Sequence, residues 1–192
     1  TDKVIHHGAD DNASGTAGVI ELAQKLAAEK ETLKRDVIFI LFSGEEAGLL
    51  GSNFYTKSDE FENLNVVAML NMDMIGRLQD NKLVIYGIGS SPMWETTIKN
   101  LNNSYNFDIT YTQAGFGRSD HSSFYSNNIP AVHFFSGTHT DYHRPSDTYD
   151  KINAPDTEKI VKLVYDVTKE IDNEKTRPEF TKAEEEGSDN RT

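Results

Sequence analysis

Two adjacent carboxylates, Glu45 and Glu46, follow an apolar run and a Ser43-Gly44 turn. Neighbouring side chains at such a turn point in different directions. One can hold a cation while the other faces the adjacent space, where a water would sit. That arrangement suits metal-assisted hydrolysis, in which the metal acidifies a water and the free carboxylate takes its proton. The same pair is also ordinary at the first turn of a helix, where the helix dipole favours negative charge. Asp10-Asp11-Asn12 precedes a helical pattern opened by Ser14-Gly15, Asp73 closes an apolar run, and His143 lies beside Arg144-Pro145. Each alone has a plain reading as a cap, a turn residue or an exposed loop histidine. Together, Asp11, Glu46, Asp73 and His143 form an oxygen-and-nitrogen ligand set typical of hydrolytic zinc. An aspartate can bridge two cations through its two oxygens, as a two-metal hydrolase requires.

These residues need elements to bring them together. Val19, Leu22, Ala23, Leu26 and Ala27 recur at helical spacing, and Val37–Phe42 is a continuous apolar run that predicts a strand buried on both faces. Leu49, Leu50 and Phe54 predict a helix over Glu45–Lys57. Further strands are expected at Val66–Asn71, Leu83–Tyr86, Ile109–Thr112 and Ala131–Phe135. Ser91-Pro92 starts a helix with Trp94, Ile98 and Leu101 on its buried face, Asp120–Asn127 is a short helix, and Asn153-Ala154-Pro155 starts a last one bearing Ile160, Val164, Val167 and Ile171. Strands alternating with helices imply an α/β layered domain around a mostly parallel sheet. In such sheets ligands bind beyond the carboxyl ends of the strands. Val37–Phe42 runs into Glu45-Glu46, Val66–Asn71 into Asp73, and Ala131–Phe135 into the loop holding His139, Asp141 and His143.

Composition narrows the class. The 192 residues hold 19 Lys and Arg against 31 Asp and Glu, a formal net charge of −12, which argues against nucleic-acid and anionic-membrane partners. No cysteine is present, so disulfides, thiolate nucleophiles and Cys-type zinc sites are excluded and a metal must be held by His, Asp and Glu. The longest apolar runs are strand-length, short of a membrane span, and no signal peptide is read. Thr1 rather than Met leads the chain, which points to a processed product or a fragment. From Asn173 apolar periodicity is lost and Glu184-Glu185-Glu186 follows, so residues 173–192 are expected to be a disordered acidic tail behind a domain of residues 1–172.

His7-Gly-Ala-Asp-Asp-Asn-Ala-Ser-Gly15, Phe42-Ser-Gly-Glu-Glu-Ala-Gly-Leu-Leu-Gly-Ser52, Asn71-Met-Asp73, Ser119-Asp-His121 and Asp141-Tyr-His-Arg-Pro-Ser-Asp-Thr148 occur in one order along the chain. In combination they resemble the zinc aminopeptidases of peptidase family M28, over Gly8 to about Ile152. The resemblance implies a three-layer α/β sandwich with a mostly parallel mixed sheet, and removal of N-terminal residues from peptides with a free N-terminus. It implies that Asp11 bridges two zinc ions, that Glu46 and His143 complete one of them, and that Asp73 serves the other. It implies Glu45 as the general base and Tyr142 as the phenol that hydrogen-bonds the developing oxyanion. Asp120 and His121 are expected behind the ligands, where a carboxylate orients a ligand histidine. Met74, Phe116, Phe134 and Phe135 are weaker candidates for a pocket around the first substrate side chain, since such residues are more often core than pocket.

The resemblance also implies a histidine ligand from a motif like His-Tyr-Asp-His, upstream of the Gly-Ala-Asp-Asp loop, together with an opening helix and first strands. This sequence begins after that point. One metal position (Asp11, Glu46, His143) is therefore expected to be complete, and the other to keep only Asp11 and Asp73. His6 and His7 lie on the same loop as Asp11 and are poor substitutes, and His133 reads as a hydrogen-bonded core histidine. Two alternatives stay open: a single-zinc acyltransferase related to glutaminyl cyclases, and a non-catalytic remnant that binds metal or peptide. The resemblance favours a periplasmic or secreted compartment. Metal identity, side-chain preference and oligomeric state are not legible in the sequence.

Overall fold

The computed structural model describes residues 4–183. Its centre is a four-stranded mixed sheet of β1 (Met69–Met72), β2 (Lys82–Tyr86), β3 (Asp108–Tyr111) and β4 (Ala131–Phe135), in the order β1-β4-β2-β3. The β1–β4 and β2–β3 pairs are parallel, and β2 and β4 run antiparallel. Met69 pairs with Ala131 and Met72 with Phe134, so β1 and β4 end side by side and release Asp73 and the Ser136–Asp147 loop at the same edge.

Alternation along the strands divides the core. Leu83, Ile85, Val132 and Phe134 face one layer, made by α1 (Gly15–Ala28), α4 (Met93–Asn102) and α6 (Ala154–Asn173). Trp94, Ile98, Ile160, Leu163 and Val167 are all fully buried there. On the other face, α5 (His121–Tyr125) packs against β1 and β4 with α2 (Leu50–Tyr55) behind it. Phe61, from α3 (Asp59–Glu62), joins Phe124, Ile129 and Ala131 in a smaller apolar cluster. Helix α6 begins as its sequence dictates: Asn153 Oδ1 accepts the N–H of Asp156, and a proline occupies the first turn. The result is the α/β layered sandwich expected from the alternation of strands and helices.

Three sequence expectations are corrected. Val37–Phe42 is not a doubly buried strand: among the described residues it pairs with no strand, and Ile38 and Leu41 are about half exposed, at 52% and 55%. A β-branched run only becomes a strand when a neighbour supplies its hydrogen bonds. Here the run borders an open cleft of about 1430 Å³, whose other wall includes Val67, Leu70 and the outer edge of β1. The helix expected over Glu45–Lys57 begins only at Leu50, because Ser43–Leu49 forms a compact turn with Gly44 at φ 68°. The expected disordered segment from residue 173 is instead a docked strap over residues 174–183. Arg177 donates to the Asn65 side chain and to the Val66 carbonyl, Pro178 is buried, Phe180 packs on Tyr125, the Thr181 N–H reaches Ser90, and the Ala183 N–H reaches the Tyr125 hydroxyl. The acidic run at 184–186 lies outside the described residues. None of the described helices is long and apolar enough to cross a membrane.

Candidate metal centre

The Asp11 loop is built by its neighbours. Asp10 is fully buried, and its carboxylate accepts the Gly76 N–H at 2.6 Å, the Ser14 hydroxyl at 2.9 Å and His139 Nε2 at 3.0 Å. On the other side, Asn12 Nδ2 donates to the Met72 carbonyl at 3.0 Å, while its Oδ1 accepts the N–H groups of Gly15 and Met74. Asp11 is held between these two anchors, at the end of β1, with its peptide bond to Asn12 in the cis form. Gly15 is needed there: a Cβ would collide with the Met72 carbonyl and the Asn12 amide.

Glu45 and Glu46 are presented by the Ser43–Leu49 turn, which closes through Leu50 N–H to the Gly44 carbonyl and Gly51 N–H to the Ser43 carbonyl, both at 3.0 Å. His143 arrives on the loop after β4 with φ 57°, a left-handed conformation uncommon for residues other than glycine. That loop is fastened by Asp141, which accepts from Lys151 Nζ at 2.8 Å and from Arg77 Nη1 at 3.3 Å. The lysine ammonium holds the Asp141 carboxyl well below the usual range.

His143 Nε2 lies 2.9 Å from Glu46 Oε1 and 3.2 Å from Asp11 Oδ2. One ligand atom from each of Asp11, Glu46 and His143 falls within 4.8 Å of the other two, the one such set of three among the described residues. The donor chemistry fits a divalent cation with His and carboxylate preference. Electrostatics agrees: burial, and then the nearby Asp73 and Glu46 charges, push the Asp11 carboxyl up to about 7. A cation among these groups would offset that crowding. Asp73 is within charge range of Asp11 but outside the triad. Its Oδ2 accepts the Ser119 hydroxyl at 2.7 Å, and its buried Oδ1 has no partner among the described residues. His6 and His7 are exposed on the cleft wall and do not join the cluster.

Around the triad, Glu45 is half-buried, and its carboxyl is raised to about 7 by burial and then by Asp73, Glu46, Asp120 and Asp11. Tyr142 stacks on the His143 ring at 3.7 Å between centroids and stays 39% exposed, its phenol shifted up by burial and then by Asp11, Glu46, Asp73 and Glu45. Asp120 is buried, its Oδ1 has no partner among the described residues, and burial raises its carboxyl. His121 touches none of the three triad residues. It is fully buried, neither ring nitrogen has a partner among the described residues, and it packs 4.9 Å from His133, whose Nε2 faces the Asp73 carbonyl oxygen at 3.4 Å. Of the pocket candidates, Phe134 and Met74 are buried core residues, the more ordinary of their two readings. Phe135 is part of a stack with Tyr86 and His133, and Phe116 is exposed against Tyr125.

Sequence reasoning missed the Asp10–His139 pair, the Asn12 bridge and the hydrogen bond from Ser119 to Asp73. Only Asn12, with its Asn-x-x-Gly spacing into a helix, carried a local signal.

A profile of Peptidase family M28 matches residues 1–168. Leucine aminopeptidase 2 of Trichophyton rubrum is 31% identical over 175 residues, covering 76% of this chain and 35% of its own length. Among solved structures, the LapA aminopeptidase of Legionella pneumophila superposes with a TM-score of 0.79 at 27% identity, over 92% of this chain and 50% of that one. BSAP, a zinc aminopeptidase from Bacillus subtilis, gives 0.73 at 26% identity, over 89% and 44%. The chain thus spans between about a third and a half of the length of these relatives. The profile match, the shared fold and the motif residues gathered at one sheet edge have one explanation: the chain belongs to Peptidase family M28.

Proposed function

We propose that this chain supplies the metal-binding and proton-transfer residues of a zinc aminopeptidase. The observation that carries the reading is the convergence of Asp11, Glu46 and His143 within 4.8 Å. Asp11, Glu46 and His143 would hold one zinc, and Asp11 with Asp73 would offer two donors to a second. Bound zinc would polarise the scissile carbonyl and acidify a water. Glu45 is the general base: raised to about 7, it can take a proton from the attacking water near neutral pH and pass it to the leaving amine. The Tyr142 phenol, kept protonated, donates a hydrogen bond to the developing oxyanion. The carboxylates of Asp73, Glu45 and Asp120 make a negative recess that attracts the free α-ammonium of a peptide and disfavours blocked termini.

The test is hydrolysis of an aminoacyl anilide by the natural full-length protein before and after chelation. Activity on the free amine that disappears with chelator, returns with zinc and is absent on the N-acetylated substrate is the expected result. Cyclisation of an N-terminal glutaminyl peptide without anilide hydrolysis would replace this reading with acyl transfer.

A further inference from the structure

Asp147 lies in the turn behind His143 and is 1% exposed. It meets three successive N–H groups of the Asp11 loop. Its main-chain carbonyl accepts from Ala9 at 3.2 Å, and its Oδ2 accepts from Asp10 at 3.0 Å and from Asp11 at 3.1 Å. Its own N–H donates to the Arg144 carbonyl at 3.1 Å, closing the turn that follows His143. Burying a carboxylate is costly unless it is hydrogen-bonded, and N–H groups aimed at an ionised acceptor are among the stronger hydrogen bonds. An apolar residue would fill the same volume without that cost, but it would leave the buried Asp10 N–H and the part-buried Asp11 N–H without this acceptor and the loop without a fixed register.

The other contacts in the region do different work. Gly76, Ser14 and His139 fix the Asp10 side chain, and Asn12 fixes the chain after Asp11. Lys151 and Arg77 fasten Asp141 on the His143 side. Among the described residues, Asp147 is the side chain that grips the Asp11 main chain from within the loop that carries His143.

We propose that Asp147 is a positioning residue that sets the separation of Asp11 and His143. The proposal rests on the reading that these two residues hold zinc. It acts through geometry and touches neither metal nor substrate. The side chain works as a clasp: it takes donors from one ligand loop while its backbone belongs to the other.

The test compares Asp147→Ala and Asp147→Asn in the natural full-length protein. Amide hydrogen exchange at residues 9–11 is followed in the zinc-free form. Zinc affinity is measured by competition with a chromophoric chelator, and the visible spectrum is recorded with cobalt in place of zinc. Asp147→Ala is expected to speed exchange at Asp10 and Asp11, alter the cobalt bands and weaken zinc binding by about 10–100-fold. Asp147→Asn keeps an oxygen able to accept both N–H groups and is expected to restore all three. Wild-type exchange and affinity in Asp147→Ala would overturn the clasp. If that variant does not fold, a folded Asp147→Asn with protected amides and native affinity supports it, and one with protected amides but lost affinity overturns it. A wild-type protein that binds no zinc would refute the aminopeptidase reading, while the exchange comparison would still decide the clasp.

Discussion

His143 Nε2 lies 2.9 Å from Glu46 Oε1, although one arrives from the loop after β4 and the other from a turn before α2. Glu46 is therefore engaged by the histidine, whereas its neighbour Glu45 has no ion-pair partner among the described residues and is surrounded by other acids. The two adjacent carboxylates are thereby given different work, and substitutions should separate them.

Glu45→Gln should lower turnover by about 10²–10⁴-fold while leaving zinc affinity close to that of the wild type. Steady-state kinetics together with equilibrium metal titration reads both. A glutamine variant that keeps most of its activity while zinc-loaded would remove Glu45 from the role of base.

The zinc-free protein should lose stability as pH rises from about 4.5 to 7. Asp11 and Glu45 both have folded-state values of about 7, above ordinary values of 3.8 and 4.5. In that window the folded state binds more protons than the unfolded chain, so the slope of unfolding free energy against pH is negative. Below the ordinary values both states are protonated and the penalty vanishes. Melting temperatures in chelator, measured from pH 4.5 to 8, should fall through the window, and Glu45→Gln should fall less steeply. Equal slopes in the two proteins would contradict this.

Ser90→Ala should destabilise the fold by roughly 1–3 kcal/mol or more, because it orphans buried donors. The Ser90 hydroxyl oxygen accepts Trp94 Nε1 at 2.9 Å and the Ala131 N–H at 3.0 Å, while its proton goes to the Gly87 or Ala131 carbonyl. Trp94 is the only tryptophan, so its fluorescence during urea denaturation reports the change directly. An unchanged urea midpoint would show that the network can be re-satisfied without the hydroxyl.

Much of this was legible in local patterns and some was not. The helical spacing of Ile160, Val164 and Val167 correctly gave the buried face of α6, and the apolar run at 131–135 correctly gave β4. Patterns failed where the answer depended on a distant partner. Val37–Phe42 has strand composition but, among the described residues, no strand paired with it, and no property of its six residues reveals that. Phe134 and Phe135 look alike in sequence, yet the register of β4 buries the first in the core and sends the second to the other face. The triad residues are legible only as a set, because Asp, Glu and His are the donor types of a hydrolytic metal site and each alone reads as a cap or loop residue. The Asp10–His139 pair was missed because it joins two loops with no periodicity to relate them. Phe180 and Pro178 dock as single anchors, which leave no repeat to detect.

Gly15→Ala should cost about 1–3 kcal/mol, since the added methyl meets the Met72 carbonyl and the Asn12 amide with little room to shift. The effect should reach the site, because Asn12 adjoins Asp11. Zinc affinity should drop with thermal stability, and a loss of stability with unchanged affinity would show that the Asn12 bridge does not govern Asp11.

The strap over residues 174–183 has a mechanical consequence. Its anchors at Val66, Tyr125 and Ser90 are spaced along the segment, so tension applied beyond Ala183 meets them one after another. The Ala183–Tyr125 bond takes the load first, then the Thr181–Ser90 bond, then Arg177, before any force reaches the end of α6. A pull on that end is therefore met by these hydrogen bonds in succession before it reaches α6.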